Sequence, residues 1–172
     1  MFSKAQQLPA TAIYFTEFPS RIGTIQLRGT ATALTGVFME KHRHEPARPA
    51  GAVRDAGPLR AARRELEEYF EGGRREFSVA LAPAGTPFQM RVWQALRAIP
   101  YGETISYGEL ARRIENPRAV RAVGLANGRN PLSIIVPCHR VIAADGSLGG
   151  YGGGLERKRI LLALEKVTTK AG

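Results

Sequence analysis

A chain of 172 residues, 44% hydrophobic and 23% charged, is long enough to bury a sizeable core in one or two small domains. Its 25 Lys or Arg against 15 Asp or Glu leave a formal charge of +10, which favours a polyanionic partner such as nucleic acid or an acidic membrane. The single cysteine, Cys138, excludes an intramolecular disulfide and a Cys-rich zinc site; with no run of about 18 apolar residues and no secretory pattern at the start, the expectation is a soluble cytoplasmic protein.

In chain order, Ile22 to Arg28 and Thr32 to Phe38 alternate partly with a period of two around a turn at Gly29, which predicts a β-hairpin. Lys41 to Pro58 carries three prolines and no apolar period, and reads as a mobile surface loop. Leu59, Leu66, Tyr69 and Phe70 recur at helical spacing, with Gly72 and Gly73 as a stop, and a strand is expected from about Arg75 to Leu81. Residues 82–87 read as a linker, dividing the chain into domains 1–82 and 83–172. The second holds 13 Lys or Arg against 6 Asp or Glu, so the anion-binding surface is expected there.

Beyond the linker the pattern turns helical. Phe88, Val92, Ala95, Leu96 and Ile99 lie three or four apart; Ser106 with Glu109 forms the capping-box pattern of a second helix; and Asn116 with Pro117 predicts the start of a third, running to about Asn127. Two short helices joined by a brief turn have the spacing of a helix-turn-helix, and Arg112, Arg113, Arg118, Arg121, Arg129 and Arg140 give the region a phosphate-binding character. Taken alone, such a pair serves only packing in about half or more of cases.

Within the apolar run Ile134 to Ile142 stand Cys138, His139 and Arg140. A lone cysteine is more often a small buried hydrophobe, but a thiol beside an imidazole has the makings of a nucleophile. On an extended strand neighbouring side chains point to opposite faces, so His139 is expected to act on Cys138 through a water or a bent backbone. A non-catalytic DNA-binding module, a Cys-His thiol hydrolase and a group-transfer protein all remain open on these residues.

Pro137-Cys138-His139-Arg140-Val141, preceded by Asn130-Pro131 and followed by Gly149-Gly150-Tyr151, resembles the active-site signature of the methylated-DNA–protein-cysteine methyltransferases, also called alkylguanine-DNA alkyltransferases. The resemblance covers essentially all of residues 83–172, including Arg118 to Gly124 and Leu161 to Glu165; residues 1–82 match only in length and pattern. It implies an α+β protein with a small RNase H-like N-terminal domain and a mainly helical winged-helix or helix-turn-helix C-terminal domain. The implied activity is irreversible transfer of an alkyl group from O6 of guanine in double-stranded DNA to the protein's own cysteine, with O4-alkylthymine left open as a second substrate.

By the same resemblance Cys138 is the acceptor, His139 takes its proton through a water, Glu165 orients the imidazole, Tyr107 donates a hydrogen bond to the leaving base and Asn130 ties the recognition helix to the active-site segment. Arg121 fills the stack vacated by an extruded nucleotide, while Gln89, Arg118, Ala119, Gly124, Arg140 and Tyr107 face DNA in the minor groove. The carbonyls of Cys138 and Val141 and the backbone at Tyr151 and Gly152 line the base pocket, and the glycines flanking Tyr151 are expected to make its wall mobile. No cofactor and no metal are implied, His42 and His44 being too few ligands. The protein is expected to be a monomer when free, to cluster on DNA, to sit on the nucleoid when bound, and to have no membrane partner.

Overall fold

The computed structural model describes residues 11–167. A four-stranded sheet opens the chain: β1 (Tyr14–Ser20), β2 (Gly23–Gly29), β3 (Leu34–Met39) and β4 (Val53–Arg54), in the order β3-β2-β1-β4. The predicted hairpin is β2 and β3, antiparallel with Leu27 opposite Val37. Strand β1, which the hairpin reading did not include, pairs antiparallel with β2 and parallel with β4. Helix α1 (Arg60–Phe70) covers one face of this sheet with Ala62, Leu66 and Tyr69, and ends where Gly72 takes a φ of +82° and donates to Tyr69 O.

Two expectations for this half are overturned. The 41–58 segment is anchored along its length: the Arg28 guanidinium holds Glu45 and the Pro46 carbonyl, Arg48 lies 4.0 Å over the Phe15 ring, and β4 joins the sheet. Residues 75–81 form no strand beyond an isolated bridge between Leu34 and Leu81. Glu65, buried on α1, accepts the Ser78 N–H at 2.9 Å and the Ser78 hydroxyl, so a carboxylate takes the bonds that a ladder would need.

The second half comprises α2 (Pro87–Leu96), β5 (Ile105–Ser106), α3 (Tyr107–Arg113), α4 (Val120–Gly128), a 3-10 turn at Cys138–Arg140, β6 (Val141–Ile142) and α5 (Leu155–Leu164). The reciprocal capping box falls at Thr86 and Gln89 on α2. At α3 only half of one forms: Ser106 Oγ accepts the Glu109 N–H at 3.1 Å, while the Glu109 carboxylate pairs with Arg112 and Arg113 and so neutralises two of the expected phosphate-binding cations.

Helix α4 starts three residues later than the Asn-Pro pattern predicts. Glu115 takes a φ of 59° and Asn116 N–H donates to Ala111 O at 3.0 Å, a motif that closes α3, so Asn116 is not free to open the next helix. One apolar cluster then runs from Ile25, Leu27 and Val37 through Leu66 and Tyr69 to Val92, Leu110, Val123, Val136 and Leu161, and Val37 N–H donates to Pro131 O across the two halves.

Candidate active site

Strands β5 and β6 pair in parallel, with Ile105 opposite Val141 and Ser106 opposite Ile142, and this register sets Tyr107 beside the turn that carries Cys138. The turn is not an extended strand. Cys138 N–H donates to Val136 O and Arg140 N–H to Pro137 O, so Cys138, His139 and Arg140 fan out instead of alternating across a pleat. Asn130 buttresses the bend, donating to Val136 O at 2.8 Å and accepting from Leu132 N–H at 3.0 Å, and Asn127 on α4 donates to Cys138 O at 3.3 Å.

The polar centre lies on the far side of the turn. His139, fully buried, shares a 2.7 Å hydrogen bond between Nε2 and Glu165 Oε1. The same oxygen accepts the Tyr69 hydroxyl at 2.7 Å and Arg140 Nη2 at 3.0 Å, while Oε2 accepts Arg140 Nε at 2.9 Å and Gly102 N–H at 3.2 Å. Burial alone favours the neutral acid at Glu165, but the His139 hydrogen bond and the Arg140 fork outweigh it and hold the carboxyl well below its usual range.

Burial lowers the His139 imidazole against the pull of Glu165, leaving it neutral at neutral pH. With Nε2–H committed to the carboxylate, Nδ1 is the lone-pair nitrogen, and it is buried without a protein partner. Arg140, grouped by sequence with the DNA-facing cations, is 5% exposed and bonded to Glu165 and the Ile99 carbonyl; its guanidinium is committed inside the protein.

Burial also pushes the Cys138 thiol up, against the lowering influences of Asn130, Lys158 and Ser133. The resting nucleophile is therefore a protonated thiol, contrary to what a Cys-His neighbour pair suggests on its own. Burial keeps Tyr107 protonated too, and its hydroxyl lies 3.5 Å from Gly150 O.

A pocket of about 270 Å³ is bounded by Tyr107, Gly124, Tyr151, Gly152 and Asn127, the residue that holds the Cys138 carbonyl, with Arg43 and His44 of the first half on its rim. A larger hollow of about 520 Å³ behind the turn, between Arg75, Arg97 and Tyr101, lacks this convergence of tyrosines and glycines.

The pocket wall is pinned, not mobile. Lys158, fully buried on α5, donates to the carbonyls of Val141 at 2.6 Å, Leu148, and Gly150 at 3.1 Å; burial pushes its ammonium down to about 8. Arg43 N–H donates to Gly152 O at 2.8 Å, and the Arg157 guanidinium bridges Gly153 O, Ile22 O and Glu40 O. A Cβ on Gly152 would sit 2.9 Å from His42 Nε2 and 3.3 Å from Gly128 O. Gly152→Ser is accordingly expected to lower stability by about 1–3 kcal/mol, readable as a lower Tm; an unchanged Tm would mean that the wall yields without cost.

Arg118, just before α4, and Arg121, in its first turn, are exposed with no carboxylate partner among the described residues; Ala119 stands half-buried at the helix cap and Gly124 half-buried at its middle. Gly124 packs against Tyr107, at 3.7 Å from where a Cβ would stand. Gln89 is turned to its capping role, with Oε1 on Thr86 N–H. Sequence reasoning missed Leu125, 64% exposed one turn after Arg121 and on the pocket rim; a large apolar residue at that place in a basic helix was a signal for it. Tyr69, Asn127, Ser133 and Lys158 were also missed. The Ser133 hydroxyl, buried with no hydrogen-bond partner, lies near Cys138 and Tyr151.

A buried Cys-His-Glu constellation behind a helix-turn-helix with a cationic second helix defines a nucleophile-bearing, nucleic-acid-binding class of protein. Residues 13–83 match the ribonuclease-like domain, and residues 87–167 the DNA-binding domain, of 6-O-methylguanine DNA methyltransferase. The methylated-DNA–protein-cysteine methyltransferases of Methanosarcina acetivorans and Haemophilus influenzae are 52% and 48% identical, over 89% and 91% of this chain and 98% and 88% of theirs. Mycobacterium tuberculosis OGT, in a crystal structure with DNA, superimposes with a TM-score of 0.86 at 52% identity over 89% of this chain and 93% of its own. The chain belongs to the 6-O-methylguanine DNA methyltransferase family.

Proposed function

We propose that this protein repairs double-stranded DNA by moving an alkyl group from O6 of guanine to Cys138, once per molecule. The observation that carries the mechanism is the setting of His139: Nε2 lies 2.7 Å from a carboxylate oxygen, which can only accept and so calls for the Nε2–H form, and the unpartnered Nδ1 is left to receive a proton. The sulfur attacks the alkyl carbon and the C–O6 bond breaks, its electron pair staying on guanine. The thiol proton passes through a bridging water to Nδ1; the guanine anion, stabilised by the Tyr107 hydroxyl, takes a proton from solvent, and the imidazolium returns its own to solvent.

A thiol hydrolase is disfavoured by the same geometry, because the Cys138 N–H, a natural oxyanion donor, is engaged by Val136 O at 2.8 Å. Weighing the protein after incubation with duplex DNA bearing O6-methylguanine separates the readings. Stoichiometric gain of one methyl on Cys138 is expected; no gain, or turnover beyond one equivalent, would overturn the proposal.

The DNA partner follows from Arg118, Arg121, Leu125 and the small residues of α4, which suit a groove approached closely and without sequence preference. Extruding the target nucleotide costs a few kcal/mol, and in this reading the exposed Arg121 side chain fills the gap. Arg121→Ala is therefore expected to slow transfer from duplex DNA by about tenfold more than transfer from the free alkylguanine base. Equal losses on both substrates would assign Arg121 another role.

A further inference from the structure

Glu165 is held by groups from three parts of the chain, and one of them comes from the first half. His139 and Arg140 reach it from the active-site turn, Gly102 N–H from the α2–β5 connection, and the Tyr69 hydroxyl from α1. Tyr69 is fully buried, its ring packed edge-on against Phe70 and Tyr101 with centroids 5.5 Å and 6.1 Å away, so the hydroxyl has one direction in which to point. It donates to Oε1, the oxygen that also receives His139 Nε2.

We propose that Tyr69 is a positioning residue of the alkyl-transfer site: by donating to Glu165 Oε1 it limits how strongly that oxygen pulls on His139, and so keeps the imidazole neutral and ready to take the thiol proton. This rests on the proton-relay role given to His139 and Glu165 above.

A carboxylate oxygen has about two lone-pair directions, and three donors on Oε1 share them. Arg140 already fixes the plane of the carboxylate with two bonds, so Tyr69 is not needed to keep Glu165 in place. What its hydroxyl adds is withdrawal of electron density from the atom facing the imidazole. Burial, together with the negative Glu165 beside it, raises the phenol well above its usual range, so it stays a donor at every pH at which the protein works.

The other groups facing this centre are accounted for. The Tyr101 hydroxyl turns to Leu164 O at 3.3 Å, Lys158 is bound to three carbonyls, and Arg75 lies over the outer face of Tyr101 at 5.3 Å. None of them replaces the bond to Oε1. The first half of the chain thus contributes an atom to the chemistry of the second, in addition to packing against it.

Tyr69→Phe removes the hydroxyl and keeps the buried ring. Single-turnover transfer from DNA containing O6-methylguanine is measured across pH, with His139→Ala, DNA affinity and Tm as companions. In Tyr69→Phe, Oε1 is shared by two donors instead of three and favours the imidazolium, so the acid limb of the transfer profile moves to higher pH by about half a unit or more. Transfer below the parent midpoint drops about threefold, and DNA affinity does not change. A loss of Tm with an unmoved acid limb would make Tyr69 a packing residue and overturn the proposal. If His139→Ala itself keeps full transfer, the relay reading has failed first, which the companion variant reports separately.

Discussion

Cys138→Ser is expected to lose alkyl transfer completely while keeping its fold and its affinity for DNA. The side chain is 4% exposed in a site whose burial already pushes the thiol up, and a hydroxyl there is still harder to ionise and far less nucleophilic towards carbon. Sulfur to oxygen changes the volume little, and Asn130 and Ser133 stand within reach of a new hydroxyl, so the cost in stability is about 1 kcal/mol. The exposed Arg118, Arg121 and Leu125 proposed to meet DNA do not include the sulfur. The checks are intact mass after incubation with alkylated duplex and a direct titration of DNA binding. A methyl group appearing on the Ser variant would place the acceptor elsewhere, and loss of DNA binding would show that Cys138 matters first to the shape of the helix-turn-helix.

The acceptor and its immediate neighbours were legible because their signal is local: Cys138 and His139 are adjacent, and Pro137 and Asn130 belong to the bend that presents them. What was not legible depends on burial, which a single sequence does not carry. Arg140 read as a cation available to phosphate and Lys158 drew no reading at all, yet each is enclosed, one by Glu165 and one by three carbonyls. A buried charge is recognisable only through its partners, and these lie 25 and 17 residues away for Glu165 and Val141.

The glycines around Tyr151 misled for a related reason. Glycine marks either freedom or close approach, and Gly152 is required by the nearness of His42 and Gly128. The hairpin, the helix periods and the stop at Gly72 were readable because they follow from local pattern. The 75–81 segment was misread because a single carboxylate on α1 captured its backbone donors, which no period in that segment reveals.

Glu165→Gln carries the second large expected effect, and it acts on rate and stability through different atoms. An amide at this position puts N–H groups where Arg140 and Gly102 need acceptors, and it leaves the buried Arg140 guanidinium without its counter-charge. Breaking a buried pair in this way costs about 3–5 kcal/mol, visible as a large fall in Tm. For the reaction, the imidazole loses the anion that offsets its burial, becomes a weaker base and is no longer held in one tautomer. Transfer at neutral pH, measured below the lowered Tm, is expected to fall by about 10²-fold. Part of the loss returns in alkaline solution, where the thiol ionises without help.

The acid side separates the two effects. The folded-state pKa of Glu165 lies below its ordinary 4.5, so its contribution to stability is complete above that value and disappears as the pH falls from there towards the lower one. The difference in stability between the parent and Glu165→Gln should therefore be constant above about pH 5 and shrink in more acid solution. A difference independent of pH would mean that the folded carboxyl is not held ionised by His139 and Arg140. Superimposable transfer profiles for parent and variant would remove Glu165 from the proton relay and leave it only the task of neutralising Arg140.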